Sequence, residues 1–280
     1  MTREDRKRSQ PTEEELFFPG IKGEPLKNWH EGHKFYVADD KILLVLEVGQ
    51  ELMNEDALTI KGDTLEFRGV SSRMDAAGDI TVAILLGEGD RRFRYDTGRE
   101  FDSAMEGLLS NELPMLIDLQ MVDSVRSHLK GKELWSRTDL WYNSNGDRIP
   151  GKKYVPVKIE DIEPGNVVFP LRLQLRDNSG DTFYMYMNFG NGDTESRAFN
   201  RLFSLTDIKK HYPGILPETW ELICNGKVVA GMTKQECRLA LGNPIEISSG
   251  HDYSQTLDIW TYDNGKILWF EDGKLVRSKG

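Results

Sequence analysis

The stretch TLDIWTYDNGKILWFEDGKLV (256–276) decides how the C-terminal part of the chain is read. Three short apolar runs are separated by Asn264-Gly265 and Asp272-Gly273. These dipeptides favour two-residue hairpin turns, because a type I′ turn needs positive φ at both central residues. The stretch therefore reads as a three-stranded antiparallel meander. Treating Asn264-Gly265 as a two-residue turn pairs Asp263 with Lys266, Tyr262 with Ile267, Trp260 with Trp269 and Ile259 with Phe270. Strand alternation then puts Leu257, Ile259, Leu268, Phe270 and Leu275 on one face, and Trp260, Tyr262, Ile267, Trp269 and Val276 on the other.

Both faces are apolar, and one suffices for the module's own core. Two cross-strand tryptophans bury on the order of 400 Å² when covered, so leaving the second face in water is costly. Trp260, Tyr262, Ile267, Trp269 and Val276 are thus the candidate interaction residues, covered either by the preceding β domain or by a protein partner.

Two helices precede this meander. Pro217 at a first helical position, with Trp220, Ile223 and Cys224 on one face and Gly226 at the end, marks the first. Thr233 followed by Glu236 is a capping box that opens the second; Met232 and Cys237 take the staple positions, Cys237, Ala240 and Leu241 form an apolar stripe, and Gly242 and Pro244 end it. Farther upstream, FSLTDIKKH (203–211) suggests another short helix.

The residues Gly231-Met232-Thr233, Leu241-Gly242-x-Pro244, Trp260-x-Tyr262 and Phe270-x-Asp272-Gly273-x-Leu275 resemble the SmpA/OmlA family over about 217–277. The resemblance implies a fold of two helices on a three-stranded sheet, and a non-enzymatic protein-interaction module of the kind common in bacterial cell envelopes. That family includes the small lipoprotein subunit of the outer-membrane β-barrel assembly machine. This chain departs from that subunit in its long N-terminal region and in lacking a cysteine at its start.

That region is mostly strand-like. KFYVADDKILLVLEV, LTIKGDTLEFRGV, GDITVAILL and RRFRYDTG form a meander up to Gly98; ELWSRTDLWY, KKYVPVKI, NVVFPLRLQLR and DTFYMYMNF form a second. Between them Leu119, Val122, Val125 and Leu129 recur at helical spacing, with Gly131 placed to stop the helix. The two β regions share phrases in matching order: IKGEPL with LKGKEL, KFYV with KKYV, and MDAAGDITVAI with RDNSGDTFYMY, which favours a duplicated unit. The expected fold class is mostly β with an α+β C-terminal module: a flexible tail (1–20), a first β domain (21–113), a linker helix with a second β domain (114–200), both SH3-like barrels or sandwiches, and the α+β module (201–280).

The formal charge of −10 argues against nucleic acid, because a phosphate backbone is met with clustered basic residues and no such cluster is evident beyond the first ten residues. No apolar run is long enough for a membrane-spanning helix. The expected compartment is the periplasm or cell envelope where an export signal has been removed, and otherwise the cytoplasm. No nucleophile elbow, P-loop or dinucleotide fingerprint is present, and no catalytic, cofactor-binding or metal-binding residue is assigned. His30 and His33 in WHEGH lack zinc spacing and are expected in a solvated turn. The acid-rich turns 143–147 and 177–181 read as hairpin turns rather than calcium loops. Cys224 and Cys237 face inward on neighbouring helices, which leaves a buried thiol pair or a disulfide open. The leading function is a non-catalytic interaction or scaffolding protein. Its rival is an enzyme or a carbohydrate- or peptide-binding module that uses a cleft lined by Trp135, Trp141 and Tyr142.

Overall fold

The computed structural model describes residues 11–49, 58–74, 78, 80–190, 196–252 and 255–280. The protein is mostly β, with several antiparallel sheets. It divides into two compact units: Met1–Lys132 with Lys158–Arg176 and Thr182–Leu202, and Glu133–Val157 with Asp177–Asp181 and Phe203–Gly280. This division interleaves segments of the chain.

In the first unit, strands β1 (Lys34–Val37), β2 (Leu46–Val48), β3 (Thr64–Met74), β4 (Ile80–Glu88), β5 (Arg91–Glu100) and β6 (Leu116–Asp118) form a sheet in the order β2-β5-β4-β3-β1-β6. The central strand β4 buries Val82, Ala83, Ile84 and Leu86 in near succession, as a strand with neighbours on both sides and cover above does. Phe35, Val37, Leu65, Phe67 and Phe93 complete its core, together with Ala104 of helix α2 (Phe101–Gly107). Helix α3 (Leu119–Leu129) follows β6 directly and buries Met121, Val122, Val125 and Leu129 at three- and four-residue spacing.

One polar group lies inside this core. Asp118 caps α3 by accepting from Gln120 and Met121 N–H through Oδ1, which also lies 3.0 Å from His33 Nε2, and its Oδ2 accepts from the buried Ser110 hydroxyl. Burial raises the Asp118 pKa, but the nearby His33 ring, the Ser110 hydroxyl and the Gln120 N–H outweigh it and hold the carboxyl below its ordinary range. His33 is not in a solvated turn as the sequence suggested: it is buried, with Trp29 and Phe35 stacked on its ring.

After β10 (Pro156–Pro164), two further strands of this unit are amphipathic hairpin text. Strand β11 (Leu171–Asp177) buries Leu171, Leu173 and Leu175, and β12 (Thr182–Met187) buries Phe183, Met185 and Met187, each opposite its partner in antiparallel register. Of the phrases that suggest a repeat, MDAAGDITVAI and RDNSGDTFYMY each run from one strand into its antiparallel neighbour, whereas KFYV is β1 and KKYV (152–155) is not in a strand.

The N-terminal segment also differs from its sequence reading. Residues Glu13–Phe17 form helix α1, opened by a capping box between Thr12 and Glu15. Phe18 is 2% exposed and its ring lies 5.3 Å from that of Phe199, in helix α4 (Phe199–Leu202). The backbone carbonyl of Phe17 is 2.7 Å from His128 Nε2. An adjacent pair of phenylalanines is a large apolar area to leave in water, and it outweighs the surrounding charges.

In the second unit, strand β7 (Glu133–Ser136) pairs with β13 (Phe203–Ser204), and β8 (Leu140–Tyr142) with β9 (Arg148–Pro150). The suggested helix at 203–211 is instead β13 followed by one 3₁₀ turn, Ile208–His211. Helices α5 (Pro217–Cys224) and α6 (Lys234–Leu241) form where the sequence places them, and the Thr233–Glu236 box is present in both directions. Four strands follow rather than three: β14 (Glu246–Asp252), β15 (Gln255–Thr261), β16 (Ile267–Glu271) and β17 (Lys274–Lys279), antiparallel in that order. Among the described residues no helix is long and apolar enough to cross a membrane.

The docking of α1 has a direct check. Phe18→Ala should destabilise the protein by about 3–5 kcal/mol in urea denaturation. A loss below about 1 kcal/mol would show that the segment is free.

Candidate functional site

The candidate site begins with the turn between β15 and β16. Tyr262 N–H donates to the Lys266 carbonyl and Gly265 N–H to the Tyr262 carbonyl, so three residues, Asp263-Asn264-Gly265, form the loop. Gly265 alone of the three has positive φ, 78°. This is a type I turn closed by a glycine bulge rather than a type I′ turn. The next turn is type I′ as expected, since Asp272 and Gly273 have φ of 43° and 79° and lie between the paired residues Glu271 and Lys274.

The extra loop residue moves the register by one. Trp260 pairs with Leu268 and Ile259 with Trp269, in place of Trp260 with Trp269 and Ile259 with Phe270. Because side chains alternate with period two, a slip of one residue sends one strand's set to the opposite face. The two tryptophans are therefore on opposite sides of the sheet.

Of the five residues proposed from sequence, Trp260 and Tyr262 belong to the core. Trp260 is 1% exposed, lies 4.7 Å from the Phe270 ring and carries the Arg238 guanidinium 4.7 Å from its centroid. They pack with Trp220, Ile223, Cys237, Ala240, Leu268 and Leu275. Asp258, also buried on this side, takes hydrogen bonds from Lys234 Nζ and Ser249 Oγ.

Ile267, Trp269 and Val276 are outside that core. Across the outer face runs the ladder Ser248–Ile259–Trp269–Arg277, with Leu257 and Ile267 in the rows on either side. Ile259 is 38% and Val276 42% exposed, while Leu257, Ile267 and Trp269 are half-buried. Arg277 lies 4.8 Å over the Trp269 ring, and Lys274, Arg277 and Lys279 of β17 give that edge of the apolar strip a basic rim. A flat apolar strip with a one-sided charged rim is chemically suited to another protein surface.

The rival aromatic residues Trp135, Trp141 and Tyr142 lie in β7 and β8. Trp141 is buried, and a Cβ at Gly151 would come within 2.7 Å of its ring. Its face is thus covered by the chain's own backbone, leaving Trp135 and Tyr142 half-buried. The turns 143–147 and 177–181 use Asn143 and Asp177 side chains to accept their own backbone N–H groups, as hairpin turns do. Cys224 and Cys237 are both free thiols, and burial pushes Cys237 up to about 12. Among the described residues no group of three or more His, Cys, Asp or Glu could hold a metal ion.

Sequence reasoning missed the contact that holds the inner side of this module. Lys153 Nζ donates to the Ala240 carbonyl at 2.8 Å and Tyr154 hydroxyl to the Leu239 carbonyl at 3.0 Å. These carbonyls belong to the last turn of α6, where no intrahelical donor is left for them and where a cation is favoured by the helix dipole. Burial lowers the Lys153 pKa and pushes the Tyr154 phenol up to about 12. Tyr154 adopts φ of 57°, an uncommon value for a non-glycine residue, and its ring meets Trp220 edge-on at 5.9 Å. Only the adjacent basic and aromatic pair hinted at this in the sequence.

The register makes unequal demands on the two tryptophans. Trp260→Ala should cost about 3–5 kcal/mol of stability in chemical denaturation, and Trp269→Ala about 1 kcal/mol. Equal costs would put both side chains on one face. Comparison of the chain with protein-family models, curated proteins and solved structures found no match.

Proposed function

We propose that the chain is a non-catalytic protein-interaction or scaffolding protein, and that it presents the outer face of its four-stranded sheet to a protein partner. The observation that supports this reading is the strip of Leu257, Ile259, Ile267, Trp269 and Val276, apolar and partly or largely open to solvent on the side away from α5 and α6. Three of these five are the interaction residues proposed from sequence. The basic rim of Lys274, Arg277 and Lys279 favours a partner that carries acidic groups beside an apolar ridge.

The resemblance to the SmpA/OmlA family extends the proposal to a bacterial cell envelope, with the C-terminal module as an interaction domain of that kind and the upstream strands as SH3-like supports. What supports this is the marked pair of helices α5 and α6 packed on an antiparallel meander, and the capping box and turn residues that carry the likeness.

The test is made on the intact chain. It should bind a hydrophobic dye or self-associate through this face, and Ile259→Lys should abolish that behaviour while changing stability by less than about 0.5 kcal/mol. An intact chain that is monomeric and dye-silent would contradict the proposal.

A further inference from the structure

A second surface feature lies in the first unit, where arginines from two strands gather at one cavity. RRFR (91–94) places Arg91 and Arg92 at the start of β5, across β4 from Arg68 of β3. A β-bulge at 67–69 shifts β3 against β4, so that Glu66 faces Gly87, and Gly87 in turn faces Arg92 across β4 and β5. Arg68, Arg91 and Arg92 line a cavity of about 500 Å³ whose apolar wall includes Leu85 and Phe93.

Gly87 keeps this space open. A Cβ at that position would come 3.2 Å from the Arg91 carbonyl oxygen and 3.4 Å from Arg68 Nε, so a side chain there would crowd the guanidinium against the strand. The neighbouring acids meet Arg68 and Arg91 each through one terminal nitrogen. Arg68 meets Glu66 through Nη2 at 2.9 Å, and Arg91 meets Asp63 and Glu88 through its own Nη2. A guanidinium carries five N–H donors in a rigid fork, and the fork geometry matches the paired oxygens of a phosphate or carboxylate. The side chains of Arg68 and Arg91 remain 41% and 29% exposed, so the cavity is reachable from solvent.

We infer that this cavity binds an organic oxyanion, a small phosphate- or carboxylate-bearing molecule whose charged head lies between Arg68 and Arg92 and whose apolar part lies along Leu85. Nucleic acid is not the fitting ligand. A duplex backbone needs an extended basic track, whereas here one pocket of cationic groups is framed by Glu66, Asp63 and Glu88.

The probe is phenyl phosphate, titrated into the full chain at fixed ionic strength by calorimetry, with inorganic phosphate and benzoate as parallel arms. Saturable binding of phenyl phosphate is expected, weakened roughly tenfold or more by Arg68→Gln and separately by Arg92→Gln, since a charge-assisted hydrogen bond is lost in each. Lys132→Gln, which removes an exposed cation elsewhere, should leave it unchanged. Binding of phenyl phosphate tighter than inorganic phosphate supports the apolar subsite, and equal binding overturns it. Comparable binding of benzoate widens the ligand class to carboxylates, and its absence narrows it to phosphates. No saturable binding in any arm, or equal weakening by Lys132→Gln, overturns the site. Gly87→Val gives an independent variant with all three arginines retained, and undiminished binding there would also count against it.

Discussion

One glycine sets the sides of the C-terminal sheet. Gly265 alone takes positive φ in the loop between β15 and β16, so the turn holds three residues and the pairing of the two strands is offset by one from the register of a two-residue turn. Everything on either face follows from that offset. Trp260 goes under α5 and α6 beside Phe270, Tyr262 and Trp220, where its large apolar area stabilises the module, and Trp269 goes outward under Arg277. The same offset places Asp258 on the inner side, where Lys234 and Ser249 must satisfy it, and they do.

The inner side is then closed from a different part of the sequence. Lys153 and Tyr154 satisfy the last carbonyls of α6, and Tyr154 also buttresses Trp220. The helix that opens with its own capping box thus ends with donors supplied by a segment some eighty residues earlier, as the separations of 87 and 85 residues record. A local signal sufficed for the start of the helix and a long-range contact was needed at its end. That asymmetry explains why the segment 133–157 belongs to the same compact unit as 203–280.

Legibility in the sequence followed the range of the interactions. Helices α3, α5 and α6 were readable because Pro217, Thr233, Glu236, Gly131 and Gly242 act on their immediate neighbours. Strands β11 and β12 were readable from strict alternation. The faces of β15 and β16 were not, because Asn-Gly permits both a type I′ turn and a type I turn with a glycine bulge, and the choice depends on which tryptophan the helices can bury. The fourth strand β14 was missed because EISSGHD has little apolar pattern and gains its place by pairing with β15. The docking of Phe17-Phe18, the burial of His33 against Asp118, and the gathering of Arg68 with Arg91 and Arg92 all join residues distant in the chain, and single-chain patterning carries no record of such meetings.

Which aromatic residues are left for a partner depends on the register of β15 against β16. Cross-strand nuclear Overhauser contacts between β15 and β16 in the intact protein test it most directly. Backbone contacts joining Ile259 with Trp269 and Trp260 with Leu268 are expected. Contacts joining Trp260 directly with Trp269 and Ile259 with Phe270 would contradict it, and would return both tryptophans to a single face.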